Sequence, residues 1–240
     1  MTKLSVNINK IGTLRNSRQG LEPHLVEFAH KIVSYGAHGI TIHPRADERH
    51  ITRQDVFDIS REITSVETNF EGDLREGFLD LVFSLKPTQC TLVPVRPGEI
   101  TSDHGWDFES YAWLLEPIIQ KIKSHQVRVS LFVDAGDPAA VASAARIGAD
   151  RIEIYTEPFA KSFLKGDSSK EILAINQTIS KAKEWGLGVN AGHDLTHLNL
   201  RLLQKECPGI DEVSIGHHLI TRALDVGMEQ SVSDYLAALG

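Results

Sequence analysis

Eight short β-branched runs alternate with helical patterns along this 240-residue chain, and that alternation restricts the fold more than any other feature. The runs are Leu4–Ile8, Gly39–Ile42, Thr68–Phe70, Gln89–Val93, Arg128–Val133, Arg151–Ile154, Gly188–Asn190 and Glu212–Ile215. Helical spacing of apolar residues follows near Pro23–Tyr35, Gln54–Ile63, Leu74–Leu85, Ser110–His125, Pro138–Ile147, Ser168–Trp185, Leu198–Cys207 and His218–Leu239. Strand, helix, strand in strict order implies right-handed crossovers and a parallel sheet, and eight such units point to closure as a (β/α)8 TIM barrel. A doubly wound open sheet is the alternative. Barrels commonly reach this length as one unit, so residues 1–240 are expected to form a single domain.

Composition narrows the possible functions. Hydrophobic residues are 41% and charged residues 24% of the chain, enough for a substantial core and unlike a disordered segment. A formal net charge of -7 without a Lys/Arg cluster argues against nucleic acid as a partner, so any anionic ligand needs a local site. No run approaches the roughly 18 apolar residues of a membrane span, and the amino terminus enters a strand with no signal-peptide pattern. No membrane partner and a cytoplasmic location are therefore expected. Cys90 and Cys207 lack CxxC spacing and are expected to be buried, reduced thiols.

The strand ends carry the chemistry. Strand two runs out as Ile42-His43-Pro44-Arg45 with Arg49-His50 beyond, and Pro44 cannot donate to a continuing ladder. The other ends bring Asn7 and Asn9-Lys10, Asn69 and Glu71, Asn190 with His193-Asp194, and Ser214 with Gly216-His217. In a barrel these converge on one carboxyl rim, where active sites lie. An internal echo sets the register: Gly36-Ala37-His38-Gly39-Ile40-Thr41-Ile42-His43 matches Gly148-Ala149-Asp150-Arg151-Ile152-Glu153-Ile154-Tyr155. It levels Glu153 with Thr41 and Tyr155 with His43, so by period-two alternation Glu153 belongs one layer below the rim, where a carboxylate needs a partner or a function. Gly216, between a strand and a helix start, allows close approach of an anion to free N–H groups; a tight turn is the plainer reading. Asp194 reads equally as a helix cap.

These residues also carry a resemblance. Asn7-Ile8-Asn9-Lys10 through Arg18, Gly39 to Arg45 with Arg49-His50-Ile51, Asn69-Phe70-Glu71, Thr91-Leu92-Val93-Pro94, Ile152-Glu153-Ile154, Val189 to His193 and Ser214 to His217 resemble the pyridoxine 5'-phosphate synthases of deoxyxylulose-dependent vitamin B6 synthesis. The resemblance spans almost the whole chain. It implies a (β/α)8 barrel with additional helices, assembled as an octamer and using no metal or organic cofactor. It also implies condensation of 1-deoxy-D-xylulose 5-phosphate with 3-amino-2-oxopropyl phosphate, with release of inorganic phosphate and water. By resemblance His43 is a proton acceptor, Glu71 a second base, His193 a proton donor to the leaving phosphate, and Glu153 a stabiliser of charged intermediates. Asn7, Arg18, Gly216 and His217 would hold the aminoketone phosphate, and Arg45, His50 and Ser102 the sugar phosphate.

Three departures are visible. Many members have Asp-His where this chain has Asn9-Lys10, glycine where it has Asp194, and threonine where it has Ser102. Serine keeps the hydroxyl, and Lys10 still offers a cation to the sugar substrate. A side chain at 194 would repel phosphate, so a backbone contact is expected there. The Pro/Gly-rich segment from Pro94 to Asp107 is long for a connection and is expected to act as a lid, with Trp106 either part of it or a hydrophobic anchor. Three rival readings use the same residues: a metal-dependent hydrolase on His43, Glu153 and His193, a Schiff-base aldolase on Lys10, and a non-catalytic phosphate-binding barrel.

Overall fold

The computed structural model describes residues 1–18, 20–95 and 103–240. Eight parallel strands form a closed barrel in chain order, as expected: β1 (Lys3–Asn7), β2 (Gly39–Ile42), β3 (Glu67–Gly72), β4 (Gln89–Leu92), β5 (Arg128–Asp134), β6 (Arg151–Tyr155), β7 (Gly188–Gly192) and β8 (Glu212–Ile215). β8 closes on β1 with Leu4 opposite Val213 and Val6 opposite Ile215. The open-sheet alternative is thereby set aside. The outer layer contains α1 (Asn9–Asn16), α2 (Leu25–Ser34), α3 (Arg53–Glu62), α4 (Glu76–Leu85), α5 (Phe108–Ser124), α6 (Pro138–Arg146), α7 (Glu157–Leu164), α8 (Ser169–Glu184), α9 (His197–Glu206), α10 (His217–Val226) and α11 (Met228–Leu239).

Three differences from the sequence reading have local causes. Periodicity alone misses α1, which is polar and carries a glycine, and α7, which is only eight residues long with a proline in its first turn. The single helix expected over His218–Leu239 is two, because Gly227 adopts φ 84° and ψ 158° between α10 and α11. Helix starts follow ordinary rules: the Thr52 and Thr196 side chains form capping boxes, and Asp107 and Asp137 accept from N–H groups of the first turn. The two glycines of the internal echo end their helices with left-handed backbone, φ 104° at Gly36 and 92° at Gly148.

The apolar core lies outside the barrel, between strands and helices. Alternate strand residues such as Leu4, Val6, Ile40, Ile42, Phe70, Leu131, Ile152 and Val213 are fully or almost fully buried against helix stripes such as Leu25, Ala29 and Ile32 of α2. Each such aliphatic side chain contributes about 1.5–3 kcal/mol on burial. The barrel interior is polar instead of the usual packing of branched aliphatics. Ser5 and Thr41 share a hydroxyl hydrogen bond of 2.7 Å, Asn69 donates to Thr41 at 3.3 Å, and Thr91 donates to Asn69 at 3.0 Å. Below this belt Gln89 reaches Glu212 at 3.4 Å, and Arg128 and Arg151 stand within 4.0 and 3.7 Å of the same carboxylate. Buried polar groups that satisfy one another in this way give the rim a rigid floor.

The unanticipated α1 positions part of that rim. Arg15 pairs bidentately with Asp55 at 2.5 and 2.7 Å, and both Arg15 and Asn16 donate to the His50 carbonyl. Gly12 lies so close that a Cβ there would meet the His50 carbonyl oxygen at 2.3 Å. Gly12→Ala is therefore expected to destabilise the protein by about 1–3 kcal/mol, the usual cost of overpacking. A melting temperature unchanged within error would contradict the contact.

Candidate active site

The carboxyl ends of the strands enclose a cavity of about 490 Å³. Its walls include Asn7 and Asn9 with Lys10 from β1 and α1, His43, Arg45 and His50 after β2, Glu71 from β3, Glu153 and Tyr155 from β6, His193 and Asp194 after β7, and Gly216 and His217 after β8. The four residues expected to be catalytic are thus brought together with eight of the ten expected to bind substrate. The exception among the described residues is Arg18, which is exposed on the turn after α1 and is not part of the cavity wall. Ser102, with most of the expected lid, lies outside the described residues. Trp106 is 8% exposed and donates its indole N–H to the Leu92 carbonyl at 2.8 Å, which makes it an anchor for the chain entering α5.

His43 is held from three directions. Its backbone N–H donates to Asn9 Oδ1 at 3.0 Å, its Nδ1 lies 3.3 Å from Glu71 Oε1, and its ring meets His50 edge-on at 6.2 Å between centroids. Asn9 is fixed in turn, its own N–H donating to Asn7 Oδ1 at 3.0 Å. The Asn9 carbonyl oxygen therefore orients His43, an engagement the sequence did not reveal. The following Pro44 carbonyl accepts from Arg75. His43 Nε2 and His193 Nδ1 are both buried without a hydrogen-bond partner, on residues that line the cavity. In its neutral form His43, with Nδ1–H given to Glu71, presents Nε2 as a base, the arrangement that activates histidine wherever a carboxylate stands behind it.

The two rim carboxyls are driven in opposite directions. Burial alone would raise the Glu71 carboxyl, but the charge and hydrogen bond of His43, with His193 and Arg45, hold it well below the usual carboxylate range. Glu153 is buried without a basic partner, so burial, then the charges of Glu71 and Glu212, push it well above that range against a hydrogen bond from Thr91. The surroundings thus favour the ionised form of Glu71 and the protonated form of Glu153. Two titratable groups separated by their environments are what acid and base work in one site requires. Burial also lowers His193, partly offset by Glu71 and Asp194. Its ring packs at 5.0 Å on Phe132 and 5.3 Å on Tyr155.

The remaining walls suit anions. His50 is 8% exposed, and burial, then the charges of His43, Arg45 and Arg49, lower its pKa to about 4. Because its Nδ1 accepts from the Ile51 N–H at 3.1 Å, the neutral ring carries its proton on Nε2 and acts as a hydrogen-bond donor, not a cation. Arg45 supplies the charge nearby, and Asp47 pairs with Arg49 at 3.6 Å. On the β8 side of the cavity Gly216 precedes α10, whose first turn has no side-chain cap. A Cβ at 216 would come within 3.1–3.2 Å of Asn7, so glycine is what lets β1 and the free N–H groups of α10 meet there. Tyr155 and His218 also line the cavity and were not singled out from sequence, although the echo that levels Tyr155 with His43 was a usable signal.

His43, Glu153 and His193, the donor set of the hydrolase reading, do not form a group able to hold a metal ion. Among the described residues no helix is long and apolar enough to cross a membrane. A family model described as pyridoxal phosphate biosynthesis protein PdxJ matches residues 4–240. Relatives named pyridoxine 5'-phosphate synthase are 50% identical in Cytophaga hutchinsonii, covering 100% of this chain and 99% of theirs, and 46% identical in Bacteroides thetaiotaomicron, covering 98% of both. Among solved structures, a tryptophan synthase from M. tuberculosis superposes with a TM-score of 0.65 at 10% identity, covering 100% of this chain and 94% of that one. That likeness reports the barrel fold alone.

Proposed function

Because the chain belongs to the PdxJ family of pyridoxal phosphate biosynthesis proteins, we propose that it is a pyridoxine 5'-phosphate synthase working at the barrel rim. It joins 3-amino-2-oxopropyl phosphate to 1-deoxy-D-xylulose 5-phosphate and releases inorganic phosphate and water. The observation that carries this reading is a buried His43–Glu71 pair, its Nε2 without a partner, in the wall of a cavity that also carries Arg45, His50, Gly216 and His217.

The amine of one substrate attacks the ketone of the other, and loss of water leaves an imine. His43 Nε2 then removes a proton from the carbon beside the imine, with Glu71 fixing the ring and balancing the charge that develops on it. Glu153, protonated at rest, donates a hydrogen bond where negative charge gathers on the substrate, and its charge-free state avoids repelling the phosphates. His193 delivers a proton to the departing phosphate, and formation of a carbon–carbon bond with loss of a second water closes the aromatic ring. Arg45 and the His50 N–H grip the sugar phosphate, with Ser102 assigned there by resemblance. Asn7, Gly216, His217 and the backbone at Asp194 hold the aminoketone phosphate. Lys10 serves the sugar substrate, and Asn9 serves through His43. Arg18 is assigned to the aminoketone phosphate by resemblance alone.

We read residues 1–240 as one catalytic domain of a cytoplasmic homo-octamer; sedimentation of the purified protein tests the assembly. For the activity, chelator-treated protein is mixed with both substrates, and pyridoxine 5'-phosphate and inorganic phosphate are followed together. Equal amounts of both are expected, and neither with one substrate alone. Binding of both substrates without product would favour the non-catalytic barrel instead.

A further inference from the structure

The phosphate corner contains a carboxylate that ought to weaken it. Asp194 follows β7 on the cavity wall beside Lys10, Gly216 and His217, and its carboxyl is drawn below the usual range by a hydrogen bond from His218, against burial, with the charges of His218, His193 and His217 adding. It is therefore ionised when a phosphate arrives. Two like charges about 5 Å apart near a protein surface repel strongly enough to weaken binding at least about tenfold. Yet the carboxylate is not loose: its Oδ1 lies 3.5 Å from His218 Nε2. His218 is the second residue of α10 and lines the same cavity, its ring packed edge-on to His217 at 5.1 Å.

Backbone geometry explains how an aspartate comes to stand there. His193 and Asp194 have φ of 82° and 57°, left-handed values that glycine reaches freely and that aspartate and asparagine tolerate because their short polar side chains bond locally. This turn leaves the 194 side chain to be steered by whatever faces it, and His218 faces it from α10.

The geometry points to His218 as a positioning residue of the aminoketone phosphate corner, holding the Asp194 carboxylate aside so that the anion meets the backbone of residue 194 and not its charge. The inference rests on the reading of the Gly216 corner as a phosphate site. His218 acts through Asp194, so its importance depends on that aspartate being charged.

The test measures KM for 3-amino-2-oxopropyl phosphate and the affinity for inorganic phosphate in His218→Ala, with and without Asp194→Asn. Asparagine keeps the left-handed turn and removes the charge. With Asp194 present, His218→Ala is expected to raise KM and weaken phosphate binding about tenfold, the change falling on KM and not kcat, and the defect should ease as salt screens the freed carboxylate. In the Asp194→Asn background the same substitution should cost less than about twofold. An equal loss in both backgrounds would mean that His218 binds phosphate directly, and no loss in either would mean that the pair is idle; both overturn the inference. Phosphate affinity is readable without turnover, so failure of the synthase activity itself would be seen separately.

Discussion

Glu71→Gln is expected to lower kcat by about 10³–10⁴-fold, the loss seen when the carboxylate behind a catalytic histidine becomes its amide. The amide is nearly the same size but no longer offers two acceptor oxygens to His43 Nδ1, 3.3 Å away. It can present N–H instead, which turns Nδ1 into the acceptor and puts the proton on Nε2, the nitrogen that should be taking one. KM for either substrate should move far less than kcat, because the cavity corners assigned to the phosphates are elsewhere. Steady-state kinetics with both substrates checks this. A non-catalytic phosphate-binding barrel would be indifferent, since phosphate binding has no need of the pair. The same substitution should also lower the melting temperature at neutral pH. A carboxyl whose folded pKa is depressed contributes stability above its unfolded value, and that contribution disappears as pH falls through the folded one.

Glu153→Gln should do the reverse to stability while lowering kcat. The folded pKa of Glu153 is raised, so the native state binds its proton more tightly than the unfolded chain. Such a group costs stability once pH exceeds the unfolded carboxyl value near 4.3, and the cost grows until pH passes the folded value. Glutamine, neutral at every pH, is free of that cost. The variant is expected to melt roughly 2–4 °C above the parent at pH 8, the shift that about 1 kcal/mol makes in a chain of this size, and to match it at pH 4. Buried glutamine can still donate a hydrogen bond, so substrate binding should survive better than kcat. Opposite signs of thermal shift for two carboxyl-to-amide changes in one cavity are hard to obtain from packing alone. Glu153 is a case of stability given up where chemistry needs a proton held in a dry place.

Much of this was legible in the residues. Strand and helix alternate so regularly that the closed barrel followed, and the echo between Gly36–His43 and Gly148–Tyr155 correctly put Glu153 on the same inward face as Tyr155, with both on the cavity wall. The polar interior was also present as period two: Ser5 and Asn7, Thr41 and His43, Asn69 and Glu71, Gln89 and Thr91 alternate with apolar neighbours that face the helices. What sequence could not carry was pairing across distance. Nothing in Asn9 announces that its side chain accepts from His43, and nothing in His218 announces Asp194, because each contact joins separate loops whose approach is set by the closed barrel. α1 escaped because tertiary contacts to His50 and Asp55, not its own helical periodicity, hold it in place.

The division of labour between the two carboxyls is the central claim, and it can be observed directly. Protein labelled with ¹³C at the glutamate carboxyl carbon, with Glu71→Gln and Glu153→Gln used to assign the two resonances, is titrated by NMR. The account predicts that at pH 7 the Glu71 carbon has the shift of a carboxylate and the Glu153 carbon that of a protonated acid, with Glu153 titrating only above the ordinary range. Two carboxylates both ionised at pH 7, titrating together near their ordinary values, would contradict it.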